Sequence, residues 1–156
     1  MPVIYVSGDP LLTGAQALAF GCNAAGKTET GTLAIQLLTR YPAAFAVFSK
    51  LVRKNEVKAG GYWLWRESRP QLVFMVVRET AAGATRLRYV EAAMMTLARD
   101  YRLDLLKSLA IAPLIDNAEW SAMRPLIEHW FGKAQLPVVV YERYLQGVRA
   151  EEQLIV

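Results

Sequence analysis

The sequence predicts a three-layer α/β domain, a mixed central sheet with helices on both faces. Short apolar runs of strand character alternate with segments of helical spacing, the pattern of an α/β sheet. The chain has 156 residues, 54% hydrophobic and 21% charged. That size and composition suit one domain with one sizeable core.

The elements follow in order. Val3–Val6 is a short apolar strand closed by the turn Ser7-Gly8-Asp9-Pro10. Ala15–Cys22 reads as a buried strand ending at Asn23, and a glycine-bearing loop runs on to about Gly31. Leu33, Leu37 and Leu38 share one helical face. Tyr41-Pro42 interrupts, and Ala43–Lys54 resumes as a second helical piece. After the Gly60-Gly61 turn, Tyr62–Arg66 and Gln71–Val77 predict a hairpin around Ser68-Arg69-Pro70. Leu87–Tyr101 has the clearest helical pattern, with Leu87, Val90, Met94, Leu97 and Tyr101 at three- and four-residue steps. Leu109–Ile115 is an apolar strand, although Pro113 lies inside it. Asp116-Asn117 can cap a helix over Glu119–Trp130, which ends near Gly132. Pro137–Tyr141 is the last strand. Residues 1–141 form one predicted domain, and 142–156 a polar tail.

Bulk properties narrow the function. No apolar stretch reaches the roughly 18 residues of a membrane span. The N-terminus lacks a basic region followed by a long apolar core. A single cysteine cannot form an internal disulfide. Together these place the expected protein in the cytoplasm, away from membranes. One Cys and one His argue against a zinc site of the usual N/S type, and no metal or cofactor is expected. The net charge of +4 is compatible with an anionic ligand. The ordinary readings of three further residue types are structural: His129 at a helix end, Cys22 as a buried small hydrophobe, Trp63 and Trp65 packed on one side of a strand.

Gly21-Cys22-Asn23-Ala24-Ala25-Gly26-Lys27-Thr28 fits the phosphate-loop pattern G-x-x-x-x-G-K-[ST] letter for letter. Such a loop surrounds phosphates with backbone N–H groups and must lead directly into a helix. Here Thr28-Glu29-Thr30-Gly31-Thr32 stands where the first helical turns belong. Asp116 is the carboxylate on offer for Mg²⁺. A P-loop nucleotide hydrolase is therefore one alternative.

A second pattern uses more of the chain. Ile4-Tyr5-Val6-Ser7-Gly8-Asp9 resembles the first strand and Gly-Asp turn of macro domains. Gly21–Pro42 resembles the macro-domain loop after the second strand, with Asn23, Gly26, Gly31, Ala34 and Tyr41-Pro42 in place. Trp120 stands early in the penultimate helix, in the family order. The resemblance spans about Val3–Tyr141. It leans toward the branch of DNA ADP-ribosyl glycohydrolase antitoxins and terminal ADP-ribose glycohydrolases.

The resemblance implies binding of ADP-ribose, or a related nucleotide, in a cleft at the strand ends. Asp9 would accept a hydrogen bond from the adenine amino group, which suits an acceptor-only carboxylate. Asn23, Ala24, Gly26, Gly31, Thr32 and Leu33 would surround the distal ribose and part of the pyrophosphate. Leu114 and Ile115 would lie at the second phosphate loop. That loop is shorter here and has no glycine between Leu114 and Trp120. The hydrolase branch carries an adduct-forming Lys at the end of the fourth strand; the matching position is Arg78, whose guanidinium cannot form that adduct. Asp116 falls near the place of a catalytic acid, and also suits a helix N-cap. The expected activity is thus ligand binding with hydrolysis reduced or absent. The alternative is an ADP-ribosyl hydrolase acting on modified DNA or protein.

Overall fold

The computed structural model describes residues 3–114 and 120–153. Six strands form one sheet: β1 (Val3–Gly8), β2 (Ala17–Asn23), β3 (Tyr62–Trp65), β4 (Gln71–Arg78), β5 (Leu109–Ile111) and β6 (Val138–Tyr144). Four helices are α1 (Thr32–Arg40), α2 (Pro42–Arg53), α3 (Leu87–Asp100) and α4 (Trp120–Phe131). The strand order is β1-β6-β5-β2-β4-β3, and only the β3–β4 pair is antiparallel. The sheet is mixed, as the hairpin pattern predicts.

Side-chain alternation splits the interior into two layers. In β4, Leu72, Phe74 and Val76 face α1 and α2, whereas Val73, Met75 and Val77 face α3 and α4. In β2, Leu18, Phe20 and Cys22 join the first layer, and Ala17 and Ala19 the second. Both faces of these central strands are covered, so their sequences read as continuous apolar runs. Trp63 and Trp65 do pack together in the first layer, with ring centroids 6.0 Å apart.

The element boundaries have local causes. Tyr41 breaks the helical stretch with φ −128° and ψ 55° because it precedes Pro42, which becomes the first residue of α2. β5 stops at Ile111, short of Pro113, which has no N–H for the ladder. β1 and β6 each run longer than their apolar cores, because Ser7 and Gly8 pair with Arg143 and Tyr144. The described part of the tail, 145–153, contains no helix and folds back over the β1 turn. No described helix is long and apolar enough to cross a membrane.

Candidate functional site

In an open α/β sheet a crevice forms where neighbouring strands send their following helices to opposite faces. β2 leads into α1 and α2 on one face. Its neighbours β4 and β5 lead into α3 and α4 on the other. The carboxyl end of β2, at Asn23, therefore lies where the crevice opens.

Asn23 is fully buried. Its Oδ1 accepts from the N–H of Ala25 at 3.1 Å and of Lys27 at 3.2 Å. Its Nδ2 donates to the Lys27 carbonyl at 3.0 Å and to the Glu29 carboxylate. Two lone pairs and two N–H groups are thus used within the loop, so Asn23 sets the loop's shape. Ala24 ties the loop to β4 through its N–H on the Arg78 carbonyl, 2.9 Å. Gly26, at φ +67°, accepts at its carbonyl from the Ser49 hydroxyl at 2.8 Å. Gly31, at φ +103°, caps α1 without a side chain, and no acidic residue occupies the first turn. The amides of α1's first turn, at Thr32 and Leu33, therefore meet no capping side chain among the described residues.

Glu29 crosses the crevice to form an ion pair with Arg78 at the end of β4. Both side chains are largely buried, at 11% and 15% exposed. Arg78 Nε donates to Thr85 Oγ1 at 3.3 Å, and that hydroxyl donates to the Leu114 carbonyl at 3.2 Å. Burial holds the Arg78 guanidinium below its ordinary pKa. Gly21 makes room for it: a Cβ there would stand 3.1 Å from Arg78 Nη2.

The other end of the crevice is the Gly8-Asp9 turn, three strand spacings from β2, or about 14 Å. Asp9 is buried, 6% exposed. Its Oδ1 accepts from Leu11 N–H at 3.0 Å, capping the 3-10 turn Pro10–Leu12. Its Oδ2 accepts from Gly147 N–H at 2.9 Å. Segment 145–152 lies across this turn as a strap. Asp9 N–H donates to the Val148 carbonyl, and Arg149 Nη1 to the Leu12 carbonyl. Glu152 accepts from Thr13 Oγ1, Gly14 N–H and Tyr141 OH at 2.5–2.7 Å. Gly8 is required by this approach, since a Cβ would meet the Val148 carbonyl at 2.8 Å. The buried hydroxyl of Tyr144, which feels the Asp9 charge, has no hydrogen-bond partner among the described residues.

The phosphate-loop pattern does not form a phosphate loop. Gly21, Cys22 and Asn23 are still in β2, and the helix begins only at Thr32, beyond Thr28. Lys27 and Thr28 are exposed. Beneath the loop, between β2 and the α1–α2 pair, lies a cavity of about 250 Å³ whose walls include Phe20, Cys22, Leu37, Phe45 and Phe48. Among the described residues, no group of three or more His, Cys, Asp or Glu is placed to hold a metal ion.

Asn23, Ala24, Gly26 and Leu114 are joined to Arg78 through one hydrogen-bonded network, and Gly31, Thr32 and Leu33 start the adjoining helix. Asp9 stands apart at the β1 end. Ile115 and Asp116 lie outside the described residues. The sequence reading passed over Glu29, Thr85, Gly147 and Glu152. Glu29 had one signal, an acidic charge inside a glycine-bearing loop. The other three carry none, since they meet the site only through the fold.

No protein-family model matches the chain. Its structure is similar to the macrodomain of Thermus aquaticus DarG, with 21% identity and TM-score 0.83, covering 90% of this chain and 97% of that one. It is also similar to Thermosipho africanus DarTG in complex with ADP-ribose, with 22% identity and TM-score 0.83, covering 96% of this chain and 43% of that one. The macrodomain of Mycobacterium tuberculosis DarG matches with 23% identity and TM-score 0.81, covering 89% and 96%. By sequence, the chain is 22% identical to a DNA ADP-ribosyl transferase-DNA ADP-ribosyl glycohydrolase fusion protein of Thermosipho africanus. The match takes in 87% of this chain and 40% of that protein's length. The fold is that of a macrodomain.

Proposed function

We propose that this chain, with its macrodomain fold, binds ADP-ribose or a related nucleotide derivative in the crevice between Asp9 and Asn23. The observation that carries this is the likeness, over 96% of the chain, to a structure in complex with ADP-ribose. Local geometry supports it. The two ends of the crevice are about 14 Å apart, long enough for an extended dinucleotide-like ligand. Asp9 and the Tyr144 hydroxyl, unpartnered among the described residues, offer an acceptor and a hydroxyl for a base at one end. The uncapped start of α1, at Gly31, Thr32 and Leu33, offers N–H groups for phosphate at the other. Calorimetric titration with ADP-ribose tests the reading, and absence of heat at millimolar ligand would sink it.

The second reading is removal of ADP-ribose from modified DNA, favoured by the name of the sequence relative. Arg78 stands where the hydrolase branch is expected to carry a lysine. An always-protonated guanidinium is no nucleophile, so covalent catalysis at that position is closed. Asp116 remains the acid this reading invokes. Release of ADP-ribose from modified DNA, abolished by Asp116→Ala, would favour hydrolysis over binding alone. We place the protein in the cytoplasm, consistent with the free buried Cys22.

A further inference from the structure

The two halves of the Glu29–Arg78 pair are mounted differently. Arg78 ends β4, a strand whose interior is fully buried. Its guanidinium is held by Thr85 and lies against Gly21, where only a missing side chain leaves space. Glu29 belongs to the loop between β2 and α1. It sits between the positive-φ glycines Gly26 and Gly31, and among the described residues nothing lies within 4 Å of a Cβ built at Gly31. The cation is mounted on a strand and the anion on a loop.

The partners of Glu29 are those a phosphate would choose. The Arg78 guanidinium pairs with one of its oxygens, and the Asn23 side-chain amide N–H donates to the other. Guanidinium matches carboxylate and phosphate geometry equally well. The uncapped first turn of α1 begins two residues beyond Gly31's neighbour Thr30, on the same loop. The carboxylate therefore occupies an anion site built of Arg78 and Asn23.

We propose that Arg78 is a phosphate-binding residue whose site is closed by the Glu29 carboxylate, and that a pyrophosphate-bearing ligand opens the site by displacing Glu29. The exchange is of one anion for another, with no covalent step. It makes Glu29 a gate on affinity: the ligand meets only the fraction of molecules in which Arg78 is open. It also gives the Arg at this position a role that a nucleophile's loss does not explain. The natural ligand's identity rests on the reading above; the anion site does not.

The test is a titration of the full chain with inorganic pyrophosphate, followed by the Arg78 Nε–Hε and Glu29 carboxyl resonances. In the wild type both resonances are expected to move together, since binding at Arg78 releases Glu29. Glu29→Gln keeps the shape and removes the charge, and is expected to tighten pyrophosphate binding about tenfold by lifting the closed-state penalty. Adding Arg78→Met to that variant should abolish it. Equal affinity in wild type and Glu29→Gln overturns the proposal. So does a wild-type titration in which Arg78 shifts and Glu29 does not, a result that needs no variant to fold. A parallel ADP-ribose titration separates the two readings. If Glu29→Gln gains pyrophosphate affinity while ADP-ribose binds neither protein, the gate stands and the ligand assignment falls. If ADP-ribose binds both equally and pyrophosphate affinity is unchanged, the gate falls and the ligand assignment stands.

Discussion

The two ends of the crevice each hold a buried carboxylate, and they hold it in opposite ways. Asp9 is met by backbone N–H groups of Leu11 and Gly147, so its partners are neutral and fixed by the chain's path. Glu29 is met by side chains, a guanidinium and an amide. A carboxylate satisfied by backbone is held by donors that no side-chain motion can withdraw. One satisfied by an ion pair can be exchanged for another anion with side-chain motion alone. The Asp9 end is thus built for permanence and the Asn23–Arg78 end for exchange. Replacing residues at each end should expose that contrast.

The largest loss is expected for Asn23→Ala. It leaves two N–H groups and a carbonyl without their buried partner, which costs about 3 kcal/mol at roughly 1 kcal/mol or more per group. Urea denaturation measures this, and a change below half that value would mean the loop does not depend on Asn23. Gly8→Val comes next. Its side chain would collide with Val148 and Ala150, and overpacking of this kind costs about 2 kcal/mol. A wild-type melting temperature for Gly8→Val would show that the strap is not seated on the turn. Glu152→Ala removes the acceptor shared by Thr13, Gly14 and Tyr141 at a partly exposed position, for about 1 kcal/mol. Its diagnostic is faster hydrogen exchange at Gly147 and Val148 with little change in the β2–α1 loop. Equal acceleration in both places would remove the distinction between the two ends.

The smallest effect is on pH dependence. Burial, then the bond to Glu152, raises the pKa of Tyr141 above that of a free tyrosine. A raised pKa in the fold favours the neutral phenol. Its contribution is complete below the unfolded value of about 10 and declines as pH climbs above it. Tyr5 and Tyr62 are raised in the same direction, first by burial, so the whole protein should lose stability on that limb. Tyr141→Phe should flatten the limb in part. An unchanged slope between pH 9 and 11, extremes set around that value, would exclude Tyr141 from it.

How far the sequence could be read differs between these same regions. The helices and central strands were legible because burial imposes a period: Val90, Met94 and Leu97 at helical steps, and Leu72–Val77 as a run buried on both faces. The Gly-Asp turn and the Asn-Gly loop were legible because glycine and a short polar residue mark chain reversals. The eight-letter phosphate-loop match was legible and misleading. Its letters say nothing about where the strand ends, and β2 runs on through Gly21 to Asn23 because Arg78 and Val76 of β4 pair with it. The tail's polar sequence likewise concealed both the extension of β6 to Tyr144 and the strap that follows, because their partners lie in β1 and its turn.

By itself, then, the sequence determined the layers, the order of most elements and the loops from which a site would be built. These follow from local propensity and from periodic burial, which each segment carries within itself. Only the tertiary structure decided that Glu29 meets Arg78 and that Glu152 closes over Thr13 and Tyr141. Contacts between side chains on different elements leave no periodic trace. They exist because parallel strands bring distant loops to one edge of the sheet, where buried charge must find a partner.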